Sequence, residues 1–212
     1  MNKEKRPLLQ GLYAITDEAL TPDQTVVEQS REALDAGVRI LQYRNKSAAD
    51  HEIEGICREL QALCRQYEAL FVINDRVELA EKLSLQGLHV GAKDGTVEAA
   101  RTALGPDGVL GVSCYGSLEL AQRAVEQGAD YVAFGAFFPT PTKPEAEVIN
   151  WDVLEQAKSS LNVPVCVIGG INQATISRIK PYHPHLYACV SGVFQGPSIS
   201  TQVNTLLEII NQ

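Results

Sequence analysis

Eight short runs rich in β-branched and aromatic residues recur along the chain, separated by stretches with apolar residues at three- and four-residue spacing. The runs are LYAIT (12–16), ILQYR (40–44), LFVIN (70–74), GLHVG (87–91), VLGVSC (109–114), YVAFG (131–135), VPVCVIG (163–169) and YACVS (187–191). The segments at 24–36, 48–67, 118–127 and 152–160 have the helical period and the length that crossover helices need. Two of these segments run into a helix-stop glycine, in DAG (35–37) and EQG (126–128). Strand then helix, eight times over, specifies an α/β fold, a compact (β/α)8 TIM barrel, with an open doubly wound sheet as the other arrangement. Near-continuous apolar strands also suit a parallel sheet covered by helices.

No linker, low-complexity tract or shift in composition divides the 212 residues, so residues 1–212 are expected to form one barrel domain. The net charge of -8, from 26 acidic against 18 basic residues, excludes a general affinity for nucleic acid or anionic membrane. The opening MNKEKRPLLQ has no apolar core after it, and nowhere do about 18 apolar residues run together. No signal peptide or spanning helix is therefore expected, and a cytoplasmic protein is. The five cysteines are odd in number and lack C-x-x-C spacing, which disfavours a disulfide framework or a zinc site and leaves buried free thiols.

In a parallel barrel the loops after the strands' C-terminal ends converge on one mouth, so strand ends are where chemistry collects. They supply Gln42, Arg44 and Lys46, then Asn74 and Asp75, His89 and Asp94, Ser113, the run FFPTPTKP with Thr140, Thr142 and Lys143, Gly169 and Gly170, and Ser191 and Gly192. In LQYRNK the strand period of two puts Gln42 and Arg44 opposite Leu41 and Tyr43. With Leu41 and Tyr43 toward the helices, Arg44 points inward, where a guanidinium needs a core carboxylate or an anionic ligand. PTPTKP offers hydroxyls, a lysine and backbone amides to phosphate oxygens, and the glycines of IGGINQAT allow close backbone approach. Asp75 and Asp94 end or follow adjacent strands about 5 Å apart, and two carboxylates with phosphate and water oxygens describe a Mg²⁺ site. Asp75 equally fits the N-cap of a helix starting at Arg76, and Asp94 an Asp-Gly turn. His89, inside an apolar strand, reads as a satisfied core histidine. The segment 138–150 is the expected mobile cover.

The ordered series GLYAITD, AGVRILQYRNK, FVINDRVELA, GLHVG, GVSCY, GADYVAFGAFFPTPTK, PVCVIGGI and VSGVF, spanning about residues 11–196, resembles the thiamine-phosphate synthase family. The resemblance implies a transferase of thiamine biosynthesis that joins hydroxymethylpyrimidine diphosphate to thiazole phosphate with Mg²⁺. Its chemistry is dissociative, diphosphate leaving before the thiazole nitrogen captures a pyrimidine-stabilised carbocation. By that resemblance Gln42, Arg44, Lys46, Asn74, Ser113 and Lys143 hold the pyrimidine diphosphate, and Arg44, Lys46, Lys143 and Ser113 are the catalytic set. Asp75 and Asp94 carry Mg²⁺, and Thr140, Thr142, Gly170, Val190 and Ser191 hold the thiazole phosphate. Tyr43, Asn45 and Pro141 complete the implied substrate-binding residues. Partners are then small phosphorylated molecules, with no nucleic acid or membrane, and a homo-oligomer stays open.

Three stretches depart from the family pattern. Ala92 and Lys93 follow HVG where the family usually has Gln, Asn45 stands where Glu is common, and PYHPHLY (181–187) replaces an Ala-Gly-Ala-Asp turn, with His183 and His185 expected as solvated loop residues. Two other readings stay open: a metal-independent thiazole tautomerase, and a non-catalytic barrel that binds phosphothiazole or thiamine phosphate.

Overall fold

The computed structural model describes residues 9–91, 97–140 and 145–212. Eight strands alternate with helices: β1 (Gly11–Ile15), α1 (Val26–Asp35), β2 (Ile40–Tyr43), α2 (Asp50–Gln66), β3 (Leu70–Asn74), α3 (Val77–Lys82), β4 (Gly87–Gly91), α4 (Val97–Leu104) and β5 (Val109–Tyr115). They continue with α5 (Leu118–Glu126), β6 (Tyr131–Phe134), α6 (Asp152–Ser160), β7 (Val165–Ile168), α7 (Ile176–Ile179), β8 (Leu186–Cys189), α8 (Ser191–Phe194) and α9 (Ile199–Asn211). All neighbouring strands are parallel, and β8 returns to β1 with Leu186 opposite Gly11, so the sheet is a closed barrel and not an open one.

Strand periodicity sorts the apolar residues into two cores. Tyr13, Ile15, Ile40, Leu70, Val72, Val109, Tyr131, Ala133, Cys166, Leu186 and Ala188 fill the lumen. The alternate residues, among them Leu12, Leu41, Tyr43, Phe71, Leu88, Val132, Val167 and Tyr187, pack outward under the helices. Toward the strands' C-terminal ends the lumen residues become small, Ala133, Cys166 and Ala188, and this leaves room for a cavity.

The stop glycines stand where expected. α1 ends at Asp35 and Gly37 takes φ +113°, while α5 ends at Glu126 and Gly128 takes φ +100°. The eighth run ends early. Val190, at φ −102° and ψ −84°, leaves the extended region, and Ser191 opens α8 instead of closing a strand.

At the opposite end of the barrel Arg101 ties the starts of β5 and β6 together. Its guanidinium donates to the carbonyls of Gly105, Gly108 and Gly128 and lies 2.5 Å from Asp130 Oδ2, which also accepts the Leu110 N–H. Closing the floor this way leaves the mouth to carry chemistry. All five cysteines are unpaired and buried.

Candidate active site

The mouth opens on a cavity of about 600 Å³. Gln42, Arg44, Asn74, Ser113, Thr140, Gly170, Val190 and Ser191, drawn from six strand ends, all line it. Residues 149 positions apart in the chain thus share one wall, as the parallel closure requires.

Arg44 begins the β2–α2 loop, its N–H donating to Thr16 Oγ1 at 2.9 Å. Its guanidinium is largely buried, and the carboxylate it faces is Asp17, 3.9 Å away. That spacing is too long for a bidentate pairing, and among the described residues no carboxylate lies closer to the guanidinium. Asp17, absent from the sequence-derived set, is the acid that sits directly after β1.

The same loop divides by side. Tyr43 faces outward and donates to Asp23 Oδ1 at 2.7 Å. That phenol is pushed up first by burial and then by the Asp23 carboxylate. Asn45 is buried behind the mouth, donating to both Asp23 oxygens, while its own Oδ1 accepts the N–H of Ser47 and of Ala48. Neither reaches the cavity, contrary to the substrate-binding placement, because the strand period turns Tyr43 outward and the Asx turn uses up the Asn45 amide. Lys46 is exposed at the rim. Its N–H donates to Glu18 Oε1 at 2.7 Å, and the Ser47 hydroxyl donates to the other Glu18 oxygen; these two bonds hold the Glu18 carboxyl below its usual range.

Asn74 and Asp75 close β3. Asp75 sits at φ +61°, a left-handed conformation that costs a non-glycine residue energy, and its N–H donates to the His89 carbonyl at 2.8 Å. The helix starts at Val77, with Arg76 at its N-cap and no side chain capping it. Asp75 is therefore not spent as a helix cap. Its Oδ2 accepts from Asn74 Nδ2 at 2.7 Å and lies 4.0 Å from Lys46 Nζ.

On the cavity floor His89 is largely buried, Nδ1 2.9 Å from the Tyr131 hydroxyl and Nε2 2.8 Å from Ser113 Oγ. Tyr13 and Tyr131, both in the lumen and both missed by the strand-end reading, continue this contact. Cys114 packs in the outer core, its thiol pushed up to about 12 by burial; Cys166 is the thiol that lines the cavity, and burial raises it too.

The far wall is the β6–α6 loop against the glycine pair. A Cβ at Gly169 would stand 2.4 Å from the Ala136 Cβ, and one at Gly170 2.6 Å from the Phe138 Cβ. The pair is thus required first by close backbone packing, which seats Thr140 at the cavity. Trp151 packs edge-on against Phe138 at 5.3 Å, and the Arg178 guanidinium lies 5.2 Å from the Phe138 ring, so the root of this loop is pinned. Asp94, Ala92, Lys93, Pro141, Thr142 and Lys143 lie outside the described residues, as do positions 141–144 of the expected cover.

Residues 12–193 match the family model described as thiamine monophosphate synthase. The chain is 42% identical over 209 residues to the thiamine-phosphate synthase of Acidithiobacillus ferrooxidans, covering 96% of this chain and 95% of that one. It is 46% identical over 164 residues to the thiamine-phosphate synthase of Alcanivorax borkumensis, covering 77% and 76%. A solved thiamine phosphate pyrophosphorylase from Pyrococcus furiosus superposes with a TM-score of 0.86 at 34% identity, covering 96% of each chain.

Proposed function

The chain belongs to the thiamine monophosphate synthase family, and on that premise we propose that it condenses hydroxymethylpyrimidine diphosphate with thiazole phosphate to give thiamine phosphate and diphosphate. The observation that carries this reading is the Arg44 guanidinium, inside the cavity wall yet only loosely paired with Asp17. A leaving diphosphate gathers negative charge. A preset guanidinium with the rim ammonium of Lys46 holds that charge better as it develops than before, which lowers the barrier. Gln42 and Asn74 share this side of the cavity with Ser113, and together they support the pyrimidine diphosphate half. Thr140, Gly170, Val190 and Ser191 form the other half, which suits a phosphate approached by backbone and hydroxyl groups.

No protein nucleophile enters the scheme. Burial keeps the Cys166 thiol protonated, and Cys114 faces away, so neither supplies a thiolate. The dissociative order, diphosphate departing before the thiazole nitrogen attacks, asks the chain only to position two substrates and to hold charge.

Mg²⁺ belongs to the same proposal. Asp75 presents an oxygen donor that no helix cap consumes, and among the described residues no group of three or more acidic, His or Cys side chains gathers. A site of this kind leans on ligand and water oxygens, as Mg²⁺ commonly does. Asp75 and Asp94 would hold the ion, which supplies neutralisation of the diphosphate charge. A cytoplasmic location is supported by the five unpaired cysteines. Among the described residues no helix is long and apolar enough to cross a membrane.

The test is to incubate the protein with both substrates and Mg²⁺ or EDTA, and to follow thiamine phosphate by oxidation to fluorescent thiochrome. Product that requires Mg²⁺ is expected. A well-folded protein that forms none, with or without metal, overturns the reading and turns attention to the tautomerase assay.

A further inference from the structure

Along the floor of the cavity a continuous string of polar groups crosses the lumen, and the chemistry above uses only its two ends. Gln42 Nε2 donates to the Tyr13 hydroxyl at 2.6 Å. The Tyr13 and Tyr131 hydroxyls are 2.9 Å apart, Tyr131 is 2.9 Å from His89 Nδ1, and His89 Nε2 is 2.8 Å from Ser113 Oγ. Five residues on five strands take part; Gln42, Tyr13, His89 and Ser113 all line the cavity, while Tyr131 lies behind them.

Counting protons gives the string a direction. Burial pushes both phenols up, so each keeps its hydrogen and can donate one bond. The Gln42 amide nitrogen can only donate, so Tyr13 accepts there and passes its own hydrogen to Tyr131. Tyr131 accepts and donates to Nδ1, which must then be bare. The neutral ring carries its hydrogen on Nε2 and gives it to Ser113. A cationic ring would donate at both nitrogens and leave the buried Tyr13 hydrogen without an acceptor in the string, a costly arrangement. Ser113 accepts from His89, so its own hydrogen is available to the cavity. Turning the Gln42 amide over would reverse every bond and make Ser113 spend its hydrogen on His89.

We propose that Tyr13, Tyr131 and His89 are positioning residues that fix Ser113 as a hydrogen-bond donor toward the anionic oxygen leaving in the cavity. This rests on the synthase reading for the identity of that oxygen. Such a donor, preset and aligned by neighbours that polarise one another, needs no reorganisation as charge develops. The barrel makes a specific allowance for it. A Cβ at Gly111 would stand 2.0 Å from Tyr131 Cζ and 2.2 Å from its hydroxyl, so this glycine on β5 is the space through which the phenol reaches His89.

The experiment combines a spectrum with a kinetic cycle. Protein labelled with ¹⁵N-histidine and free of ligand, with His89 assigned by His89→Gln, is expected to show a neutral ring bearing its hydrogen on Nε2. Tyr131→Phe, or Tyr13→Phe one link away should the first variant fold poorly, is expected to mix the tautomers. It is expected to lower kcat about tenfold, the worth of one hydrogen bond, with little change in KM. In a Ser113→Ala background the same substitution is expected to cost nothing further. A ring protonated at Nδ1 in the wild type, or a full loss of kcat repeated in the Ser113→Ala background, overturns the proposal and leaves the tyrosines as core packing. Because the tautomer is read in ligand-free protein, it decides the direction of the string even where the wild type forms no thiamine phosphate, an outcome that counts against the synthase reading alone.

Discussion

Lys46 Nζ lies 4.0 Å from Asp75 Oδ2, joining the loop after β2 to the end of β3 across the rim of the cavity. Both side chains are about half exposed, so the pair is screened and contributes little to stability. In the proposed reaction the Lys46 ammonium would face the diphosphate and the Asp75 carboxylate Mg²⁺. Asp75→Ala is expected to raise the Mg²⁺ concentration for half-maximal rate by at least about tenfold, the scale on which loss of even a supporting group weakens a metal site. Titrating Mg²⁺ in the thiochrome assay measures this, and an unchanged curve would remove Asp75 from the metal.

Arg44 and Asp17 should respond unequally to substitution. Arg44→Lys keeps the charge but loses the planar fork, and kcat/KM is expected to fall about tenfold or more. Asp17→Asn removes only a partner at 3.9 Å and is expected to change kcat/KM less than about fivefold. Steady-state rates on both variants decide it. Equal losses would mean that the guanidinium is mainly committed to Asp17.

Gly170→Ala tests the far wall. The residue sits at φ +67° with the Phe138 Cβ 2.6 Å from where a methyl would go, so backbone strain and a clash fall on the same atom. A loss of about 2 kcal/mol in urea unfolding is expected. The KM for thiazole phosphate should rise while that for the pyrimidine diphosphate holds, since Thr140 is carried on the displaced loop. Equal changes in both constants would contradict the division of the cavity into two halves.

Asp130→Ala addresses the floor. It leaves the Arg101 guanidinium without its carboxylate and the Leu110 N–H without an acceptor. About 3 kcal/mol of stability should be lost, the lower range for breaking a buried pair, because Arg101 is partly exposed. Folded protein at 25 °C should retain its kcat, the floor being at the other end of the barrel from the mouth. A change in kcat with the fold intact would show that the two ends are coupled.

The barrel was legible because its evidence is repetitive: eight apolar runs, helical spacing between them, and stop glycines that took the left-handed conformation at Gly37 and Gly128. The mouth was legible in part for the same reason, since the C-terminal end of every parallel strand points one way. Tyr43 is instructive. Strand period turned it toward the helices, family resemblance put it among the substrate contacts, and its bond to Asp23 follows the period. The sequence offers Asp75 as a ligand or as a cap, and the cap reading fails because the helix starts at Val77 with Arg76 at its N-cap. The lumen string could not be read from the chain, because Tyr13 and Tyr131 lie 118 residues apart and meet only through barrel closure. Nothing local marks either as different from an ordinary aromatic in a strand.

His185 was expected as a solvated loop residue, and its environment differs from that. It is exposed on one side, yet its Nδ1 accepts the Val165 N–H at 3.1 Å, and its own backbone bonds to Val165 and to Gly11, linking β7, β8 and β1 at the floor. Partial burial, and secondarily the Lys158 charge, lower its proton affinity in the folded chain. The unfolded chain therefore holds the proton more tightly. Stability from this contact is fully present above the ordinary histidine pKa of about 6.5 and is lost as the pH falls through it toward the depressed folded value. Protonation would also place a hydrogen on Nδ1, where the Val165 N–H already donates. His185→Asn offers an oxygen acceptor at nearly the same position but cannot titrate. Melting temperatures from about pH 7.5 to about pH 5 should fall more steeply for the wild type than for His185→Asn. Parallel curves would show that the Val165 bond survives acidification and that His185 takes no part in the acid sensitivity of the barrel floor.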